Sequence, residues 1–306
     1  MELPVFLLPM KSFSNNSVIE RAQPWLGTLV SIQVGGLPAL QAHRAVDAAF
    51  AEVATVHRLM SFHREDSDVG RLNRHAVHEP VAVHPHTFEV LRWAIKLSSC
   101  SNGCFDVAVA AELVDWEFLP RPSGRRCDPQ ASWRDIELRS DGSVVFHRSL
   151  WIDLGGIAKG YAVDRASETM RAWGAQHSVV NAGGDIRVNG NQAERIVLGT
   201  GSPTNSLPVL ELRDGSVASS TGRRQQRRHR GRLLGPHIHG ALRSPAPTQR
   251  FVCVVAERCV VADALTKVVM AEGANSAESL RRFKASACFH DPERGWRHLD
   301  ARVEGS

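Results

Sequence analysis

The stretch "DLGGIAKGYAVD" (residues 153–164) places two adjacent glycines directly before the first turn of a predicted helix. Gly155 and Gly156 have no Cβ, so their backbone can take conformations that let an ion approach its amide or carbonyl groups. The helix N-terminus adds unpaired N–H groups and the positive end of the helix dipole. Lys159 lies in this first turn, where its charge is unfavourable unless an anion binds nearby. The stretch therefore indicates a phosphate-binding junction, although a glycine pair alone more often serves helix packing.

Two further stretches carry polar residues that could join such a site. "NAGGDI" (181–186) contains a second glycine pair between two predicted strands, which by itself is typical of a hairpin turn. "VVADALTK" (260–267) places Thr266 three residues and Lys267 four residues after Asp263, at the start of an apolar helix. An Asp in a first helical turn ordinarily just complements the dipole. Neither stretch is specific by itself.

Short strands and a few helices must position these residues. Hydrophobic periodicity predicts helices over 42–60 and 87–100, a helix after Gly156, another from near Val261 and a third over 276–284. Alternating or buried apolar runs predict strands at "TLVSIQV" (28–34), "SVVFH" (143–147), "WIDL" (151–154), "HSVVNA" (177–182), "DIRVNG" (185–190), "RIVLG" (195–199), "PVLELR" (208–213), "FVCVVA" (251–256) and "SACFH" (286–290). This mixture predicts an α+β fold and disfavours a doubly wound dinucleotide fold.

Length and composition allow one large domain. With 306 residues and 43% apolar content, we expect a loose tail over residues 1–20 and a single domain, or two closely packed lobes, over 21–306. The six cysteines form no CxxC pair and no metal-ligand spacing, so we interpret them as buried free thiols. The N-terminal "MELPVFLLPM" is too short for a signal sequence or membrane span. We therefore expect a cytoplasmic protein, or a periplasmic one if the start site is misassigned.

An arginine-rich segment carries much of the positive charge. No Asp or Glu occurs from Gly215 to Ala256, and "GRRQQRRHRGR" contains Arg223, Arg224, Arg227, Arg228, Arg230 and Arg232. Guanidinium groups can bind phosphate oxygens of a polyanion. Because no aromatic residues lie between the arginines to stack on bases, a solvated loop is favoured over a nucleic-acid partner.

Together, the ordered motifs resemble those of the FAD:protein FMN transferase family. They are "LGTLVSIQV", "MSFHREDSDVGRLN", "GCFDVAV", "DLGGIAKGYAVD", "NAGGDI", "SVASSTGRR", "PHIH" and "ADALTK", between residues 26 and 267. The resemblance implies an α+β architecture with mixed or antiparallel sheets and packed helices (T-fold-like). It also implies a Mg²⁺-dependent reaction in which a Thr hydroxyl of an acceptor flavoprotein attacks the FMN phosphorus of FAD and AMP leaves. Such phosphoryl transfer depends on positioning and charge neutralisation.

The resemblance also assigns roles to residues at matching motif positions. The implied FAD contacts are Leu26, His63, Cys104, Phe105, Asp106, Asp153, Lys159 and Ile238. The implied catalytic residues are Lys159, His237 and Asp263, and the implied metal ligands are the Gly156 carbonyl, Asp263 and Thr266. Leu26 and His63 replace the Met and Tyr that are common in the family.

Two departures from the family pattern leave alternatives open. The family's metal-binding hydroxyl lies four residues after the Asp, where this chain has Lys267, and Thr266 lies about 100° away around the helix. The usual "HIIDPRTG" segment is "HIHGALRSPA", for which Arg223 or Arg224 could compensate by binding the diphosphate. One alternative is a weakened homologue that binds FAD or hydrolyses it to FMN and AMP. A second is a nucleic-acid-associated protein that uses the arginine-rich segment.

Overall fold

Eight antiparallel strands form the central sheet of the protein, seen in a computed structural model that describes residues 9–10, 18–122, 126–199, 208–223 and 225–300. From one edge to the other, the strands are β18 (Gly295–Asp300), β17 (Ser286–Asp291), β16 (Phe251–Ala256), β11 (Gly215–Thr221), β8 (Asp185–Asn189), β7 (His177–Ala182), β3 (Thr28–Gly35) and β2 (Ile19–Trp25). Every pairing in this sheet is antiparallel. The predicted α+β class with an antiparallel sheet is therefore confirmed.

Helices cover one face of this sheet. They are α1 (Ala39–Met60), α2 (Asp68–His75), α3 (Pro85–Cys100), α4 (Ala110–Asp115), α5 (Ala158–Ala172), α6 (Cys259–Glu272) and α7 (Ala277–Arg282). Short 3₁₀ turns occur at Val107–Val109, Trp133–Asp135 and Gly273–Ser276. The smaller sheets contain β1 (Pro9–Met10), β9 (Glu194–Val197) and β10 (Val209–Leu212); β4 (Val81–Ala82), β6 (Ser143–Phe146) and β5 (Ile136–Leu138); β12 (Arg227–His229) and β13 (Arg232–Leu234); and β14 (Ile238–His239) and β15 (Ser244–Pro245).

Both faces of the central strands are buried, which explains their continuous apolar runs. In β11, Val217 packs with the cluster under β9 and β10, while the next residue, Ala218, packs under the helices. In β16, Cys253 packs with the cluster under β9 and β10, and the next residue, Val254, packs under the helices. Successive side chains of a strand point to opposite faces, so a strand covered on both sides needs apolar residues at every position.

The predicted strand at residues 151–154 is wrong. Residues 151–154 are extended but form no ladder, because their backbone bonds to other partners. The Ile152 N–H donates to Asn73 Oδ1 at 2.8 Å and its carbonyl accepts from Asn73 Nδ2 at 3.0 Å, while Asp153 N donates to the Val107 carbonyl at 2.9 Å. The Asn73 amide thus makes the hydrogen bonds that a neighbouring strand would otherwise make. The pattern of apolar residues cannot reveal such a partner.

The other predicted helices and strands are confirmed, with boundary shifts of a few residues. The structure also contains elements that we did not predict, namely β1, β2, β4, β5, β11 to β15, β18, α2 and α4. Most of the predicted N-terminal tail lies outside the described residues, but Pro9–Met10 pair with β9, and Ile19 and Glu20 begin β2. Within the described ranges, no helix is both long and apolar enough to span a bilayer.

Candidate active site

A cavity of about 690 Å³ opens where the helices meet the ends of the central strands. Cavities of roughly 300–1,000 Å³ are the usual size of ligand sites. All eight residues that we expected to contact FAD line this cavity: Leu26, His63, Cys104, Phe105, Asp106, Asp153, Lys159 and Ile238. Gly156, His237 and Lys267 line it as well, whereas Asp263 and Thr266 are fully buried behind its wall. The structure therefore brings together segments that are widely separated in the sequence.

The outer wall of the cavity comes from a hairpin tip and a loop. Leu26 and Gly27 form the two-residue turn between β2 and β3, with φ of 56° and 72°. Leu26 is thus a non-glycine residue in the left-handed region, which costs conformational energy and presents its side chain to the cavity. His63, in the loop between α1 and α2, is exposed on the same wall. An apolar side chain and an imidazole can both pack against a flavin ring.

A second wall is the loop that contains Cys104, Phe105 and Asp106. The Asp106 carboxylate accepts from Ala108 N at 2.8 Å and lies 3.2 Å from Arg243 Nη2. It therefore holds the loop in place. Gly240 packs against this loop so closely that an added Cβ would lie 2.5 Å from the Gly103 carbonyl oxygen. The "HIHGALRSPA" segment thus fixes this wall through Gly240 and Arg243, and Gly240 and Ala241 stand where the family pattern has Asp and Pro.

Asp153 lies on the inner wall, at the predicted glycine junction. An added Cβ on Gly155 would lie 3.0 Å from Asp153 Oδ2, so a side chain at this position would crowd the Asp153 carboxylate. Burial raises the pKa of the Asp153 carboxyl, partly offset by a hydrogen bond from the Gly155 backbone. Gly156 lies between Phe105 and the Lys267 side chain, whose Cε would be 3.4 Å from an added Cβ. The junction thus brings the Lys267 stem against the cavity wall.

Behind this wall, two lysines and two aspartates form one charge network. Lys159 Nζ pairs with Asp185 and lies 3.5 Å from Asp263, and Lys267 Nζ pairs with Asp263. Burial opposes ionisation of Asp263, but the charges of Lys159 and Lys267 outweigh it and lower the pKa of this carboxyl. Burial and the nearby Asp263 charge raise the pKa of Asp185. The anion that Lys159 requires at the helix N-terminus is thus supplied, at least in part, by the protein itself.

Helices α5 and α6 hold this network in register. An added Cβ on Gly160 would lie 2.3 Å from the Cys259 carbonyl oxygen and 2.7 Å from Asp263 Cβ, so the helices touch at Gly160. The Gly160 N–H donates to Asp263 Oδ2 at 3.0 Å. One turn later, the Asp164 carboxylate accepts from Cys259 N and Val260 N at 2.9 and 3.0 Å. Asp164 therefore caps the first turn of α6, whose own N-cap residue provides no side-chain bond.

Asp185 reaches the network from the β7–β8 hairpin. Gly183 and Gly184 both have positive φ, and an added Cβ on Gly183 would lie 2.5 Å from Thr28 Oγ1. The Asn181 Oδ1 atom accepts from Gly184 N at 2.9 Å. The glycine pair therefore makes a tight turn, as "NAGGDI" predicts, and places Asp185 beside Lys159.

The predicted magnesium ligands do not fit a divalent ion in this arrangement. The Asp263 carboxylate already pairs with Lys267 and accepts from Gly160 N. The Thr266 hydroxyl donates to the Asp263 carbonyl at 2.6 Å and lies 2.8 Å from Ser220 Oγ. Mg²⁺ requires oxygen ligands in near-octahedral geometry, usually one or two protein carboxylates together with water and substrate phosphates. Here, the oxygens are committed and an ammonium group lies among them.

Another group of potential ligands lies on the Cys104 side. The ligating atoms of Cys104, His239 and Glu272 all lie within 4.8 Å of one another, the one such group among the residues described. His239 Nδ1 accepts from Leu242 N at 3.4 Å, and its Nε2 lies 3.6 Å from Glu272 Oε1. Burial and the Glu272 charge raise the pKa of the Cys104 thiol. Burial thus keeps the Cys104 thiol protonated, and a protonated thiol is not a metal ligand.

His237 lies on the cavity wall beside the charge network. Burial and the positive charge of Lys267 lower the pKa of His237 to about 4, although a hydrogen bond to the Thr221 backbone opposes the shift. The ring is therefore neutral near pH 7. One nitrogen bonds to the Thr221 backbone, which leaves the other able to accept a proton. A neutral imidazole at this position can accept a proton.

The arginine-rich segment forms a hairpin. Arg227, Arg228 and Arg232 are exposed on β12 and β13, and the turn contains Arg230 with φ of 48°. The Arg227 guanidinium lies over the Phe118 ring at 5.6 Å. The solvated-segment interpretation agrees with this exposure. Arg223 donates to the Gln249 carbonyl at 3.3 Å, and Arg224 lies outside the described residues.

Sequence reasoning did not assign Asp185 and Ser220 to the site. Asp185 is fully buried next to Lys159, and Ser220 Oγ contacts both Thr266 and Lys267. A carboxylate in a strand that is apolar on both faces is a usable signal, because burial requires a partner charge. Ser220 lies within the motif "SVASSTGRR", but no local pattern distinguishes it from its neighbours.

Comparisons with known proteins agree with these motifs. The sequence model of the ApbE family matches residues 26–289. The chain is 26% identical over 268 residues to the FAD:protein FMN transferase of Vibrio cholerae serotype O1, covering 82% of this chain and 80% of that protein. It is 28% identical over 311 residues to the FAD:protein FMN transferase of Treponema pallidum, covering 90% and 84%. The crystal structure of the ApbE protein from Thermotoga maritima has a TM-score of 0.80 at 22% identity, covering 92% and 96%. That likeness concerns the fold.

Proposed function

Because the chain belongs to the ApbE family, we propose that it transfers FMN from FAD to a threonine hydroxyl of an acceptor flavoprotein and releases AMP. The observation that carries this proposal is the single cavity that all eight expected FAD contacts line. Its inner wall contains the glycine junction, and the ammonium groups of Lys159 and Lys267 lie beside it. Such a wall suits a diphosphate, whereas the apolar side chains of Leu26 and Phe105 suit an aromatic ring system.

In the proposed reaction, the threonine oxygen attacks the FMN phosphorus in line with the bond to the AMP oxygen. A new P–O bond forms as the bond to AMP breaks, and AMP leaves with the bonding electrons. The proton of the hydroxyl passes to His237, which is neutral near pH 7. A bound diphosphate raises the proton affinity of His237, because its negative charge offsets that of Lys267. Lys159 and Lys267 stabilise the charge on the phosphoryl oxygens.

Covalent flavin transfer can be tested with FAD and an extract of the cells that encode the protein. The purified protein is incubated with both, proteins are separated under denaturing conditions, and flavin fluorescence is read in the gel. We expect a fluorescent band that appears only with FAD and the protein, and a mass spectrum that shows FMN esterified to Thr. FMN in place of FAD is the matched control, since it has no AMP leaving group.

The contrary outcomes identify the alternatives. Release of AMP and FMN without a labelled protein would show that the protein hydrolyses FAD. Binding of FAD without AMP release would show a binding homologue, and either result would overturn the proposed transfer.

A further inference from the structure

The Lys267 ammonium lies among oxygen atoms in the way that a bound cation does. Its Nζ pairs with Asp263 Oδ1, lies 3.1 Å from the Asp263 carbonyl oxygen and lies 3.3 Å from Ser220 Oγ. Carboxylate, carbonyl and hydroxyl oxygens are the ligands that hard cations prefer. The Lys267 side chain, 15% exposed, also lines the cavity next to Gly156, so the charge is available to a ligand there.

Without a bound ligand, the charge balance of these four groups disfavours a divalent ion. Lys159 and Lys267 neutralise Asp185 and Asp263 one for one. A divalent ion added at Asp263 would give the buried cluster two excess positive charges, which is costly in a medium of low dielectric constant. The Thr266 hydroxyl is fully buried behind the cavity wall, where it bonds to Ser220 and to the Asp263 carbonyl.

We infer that the Lys267 ammonium replaces the divalent cation in this chain, so that the protein cleaves FAD without a metal. The cleavage of FAD in this inference rests on the proposed function. The occupation of the cation site by Lys267 does not. Lysine has three N–H donors, and the 3.3 Å contact with Ser220 is the longest of the three. The N–H group directed at Ser220 is therefore the one that can turn to a phosphate oxygen, while Asp263 holds the Lys267 amine in place.

The first experiment measures metal binding without FAD. Wild-type protein, Lys267→Thr and Lys267→Met are titrated with Mn²⁺, and free Mn²⁺ is read by electron paramagnetic resonance. Lys267→Thr removes the ammonium and places a hydroxyl four residues after Asp263, whereas Lys267→Met removes the charge alone. We expect wild type to bind no Mn²⁺ and Lys267→Thr to bind one ion, with weaker binding by Lys267→Met. Equal Mn²⁺ affinity in wild type and Lys267→Thr would overturn the inference.

The second experiment measures AMP release from FAD with EDTA or with Mg²⁺. We expect EDTA to leave wild-type release unchanged and to lower that of Lys267→Thr on the order of a hundredfold, with Mg²⁺ restoring it. The matched control is Lys96→Thr, an exposed lysine over the Trp93 ring at 5.1 Å, which should behave as wild type. Loss of wild-type activity in EDTA and recovery in Mg²⁺ would contradict the inference.

The two experiments separate the inference from the proposed function. If wild type binds FAD but releases no AMP under any condition, the proposed function fails, and the Mn²⁺ titration still decides the cation site. If Lys267→Thr does not fold, as judged by circular dichroism, the wild-type titration and the wild-type EDTA measurement decide it alone.

Discussion

Lys159 links two buried carboxylates, and its removal should therefore affect both stability and FAD binding. In Lys159→Ala, Asp185 loses its ion-pair partner while fully buried, and Asp263 keeps only Lys267. Removing one partner of a buried pair is strongly destabilising, but the Lys159 side chain is 28% exposed, so we expect a loss on the order of 2 kcal/mol. Urea unfolding measures this loss. FAD affinity should also fall, by about 1.5–3 kcal/mol for a charge-assisted contact.

A double variant separates the two effects of Lys159. Lys159→Ala with Asp185→Asn removes the uncompensated charge, so part of the lost stability should return. FAD affinity should not return, since the cation that faces the phosphate is still missing. Recovery of FAD affinity in the double variant would place Lys159 in a purely structural role.

His237 should make the stability of the protein fall as pH decreases. The unfolded chain binds a proton at this imidazole near the ordinary pKa of 6.5, while the folded protein does so only near about 4. Between these values the unfolded state binds more protons, so stability is greatest above 6.5 and is lost progressively down to 4. His237→Gln removes this contribution. We expect the difference in unfolding free energy between pH 7 and about pH 5 to be smaller in the variant than in wild type. Identical pH dependence would contradict the lowered pKa.

At the scale of elements, the contact between α5 and α6 at Gly160 sets the geometry of the charge network. Alanine in a helix interior is ordinarily favoured over glycine by about 0.5–1 kcal/mol. Here, an added Cβ would lie 2.3 Å from the Cys259 carbonyl oxygen, and the helices must move apart. We therefore expect Gly160→Ala to destabilise the protein by about 1–3 kcal/mol, as overpacking does, and to impair AMP release.

Urea unfolding checks the sign of the Gly160→Ala effect. Gly35→Ala is the matched control, because its added Cβ would meet only Val18 Cγ2 at 3.9 Å, and it should change stability little. A stabilised Gly160→Ala protein would mean that the helices are not in contact at this residue.

Local patterns predicted the elements whose partners are also local. The β7–β8 hairpin follows from "NAGGDI" because adjacent glycines and Asn dictate a turn. The strand predicted at residues 151–154 failed because an Asn73 side chain, distant in sequence, takes the place of a ladder. The glycine junction was predicted to serve a phosphate, yet the position of Lys267 against Gly156 depends on the packing of α6. Only the tertiary structure reveals that Lys267, rather than Thr266, lies beside the cavity.

At the scale of the whole molecule, the cavity joins parts of the chain from Leu26 to Lys267. Its lining includes the β2–β3 hairpin tip, the loop after α3, the N-terminus of α5 and Lys267 from the middle of α6. Residues of the two helix-side apolar clusters meet at Leu26, which packs against both. A ligand that spans the cavity therefore contacts groups that separate on unfolding, and its binding should stabilise the entire fold.

The size of that stabilisation should depend on the phosphates of the ligand. In the proposed binding mode, riboflavin uses the apolar contacts of Leu26 and Phe105, FMN adds one phosphate, and FAD adds a diphosphate beside Lys159 and Lys267. A ligand at 100 times its dissociation constant stabilises the folded state by about 2.7 kcal/mol, or about 5 °C in the unfolding midpoint of a chain of this size. At equal concentrations we expect the midpoint to rise in the order riboflavin, FMN, FAD. Thermal unfolding followed by tryptophan fluorescence measures these shifts. Equal shifts for riboflavin and FAD would refute the proposal that the diphosphate binds beside Lys159 and Lys267.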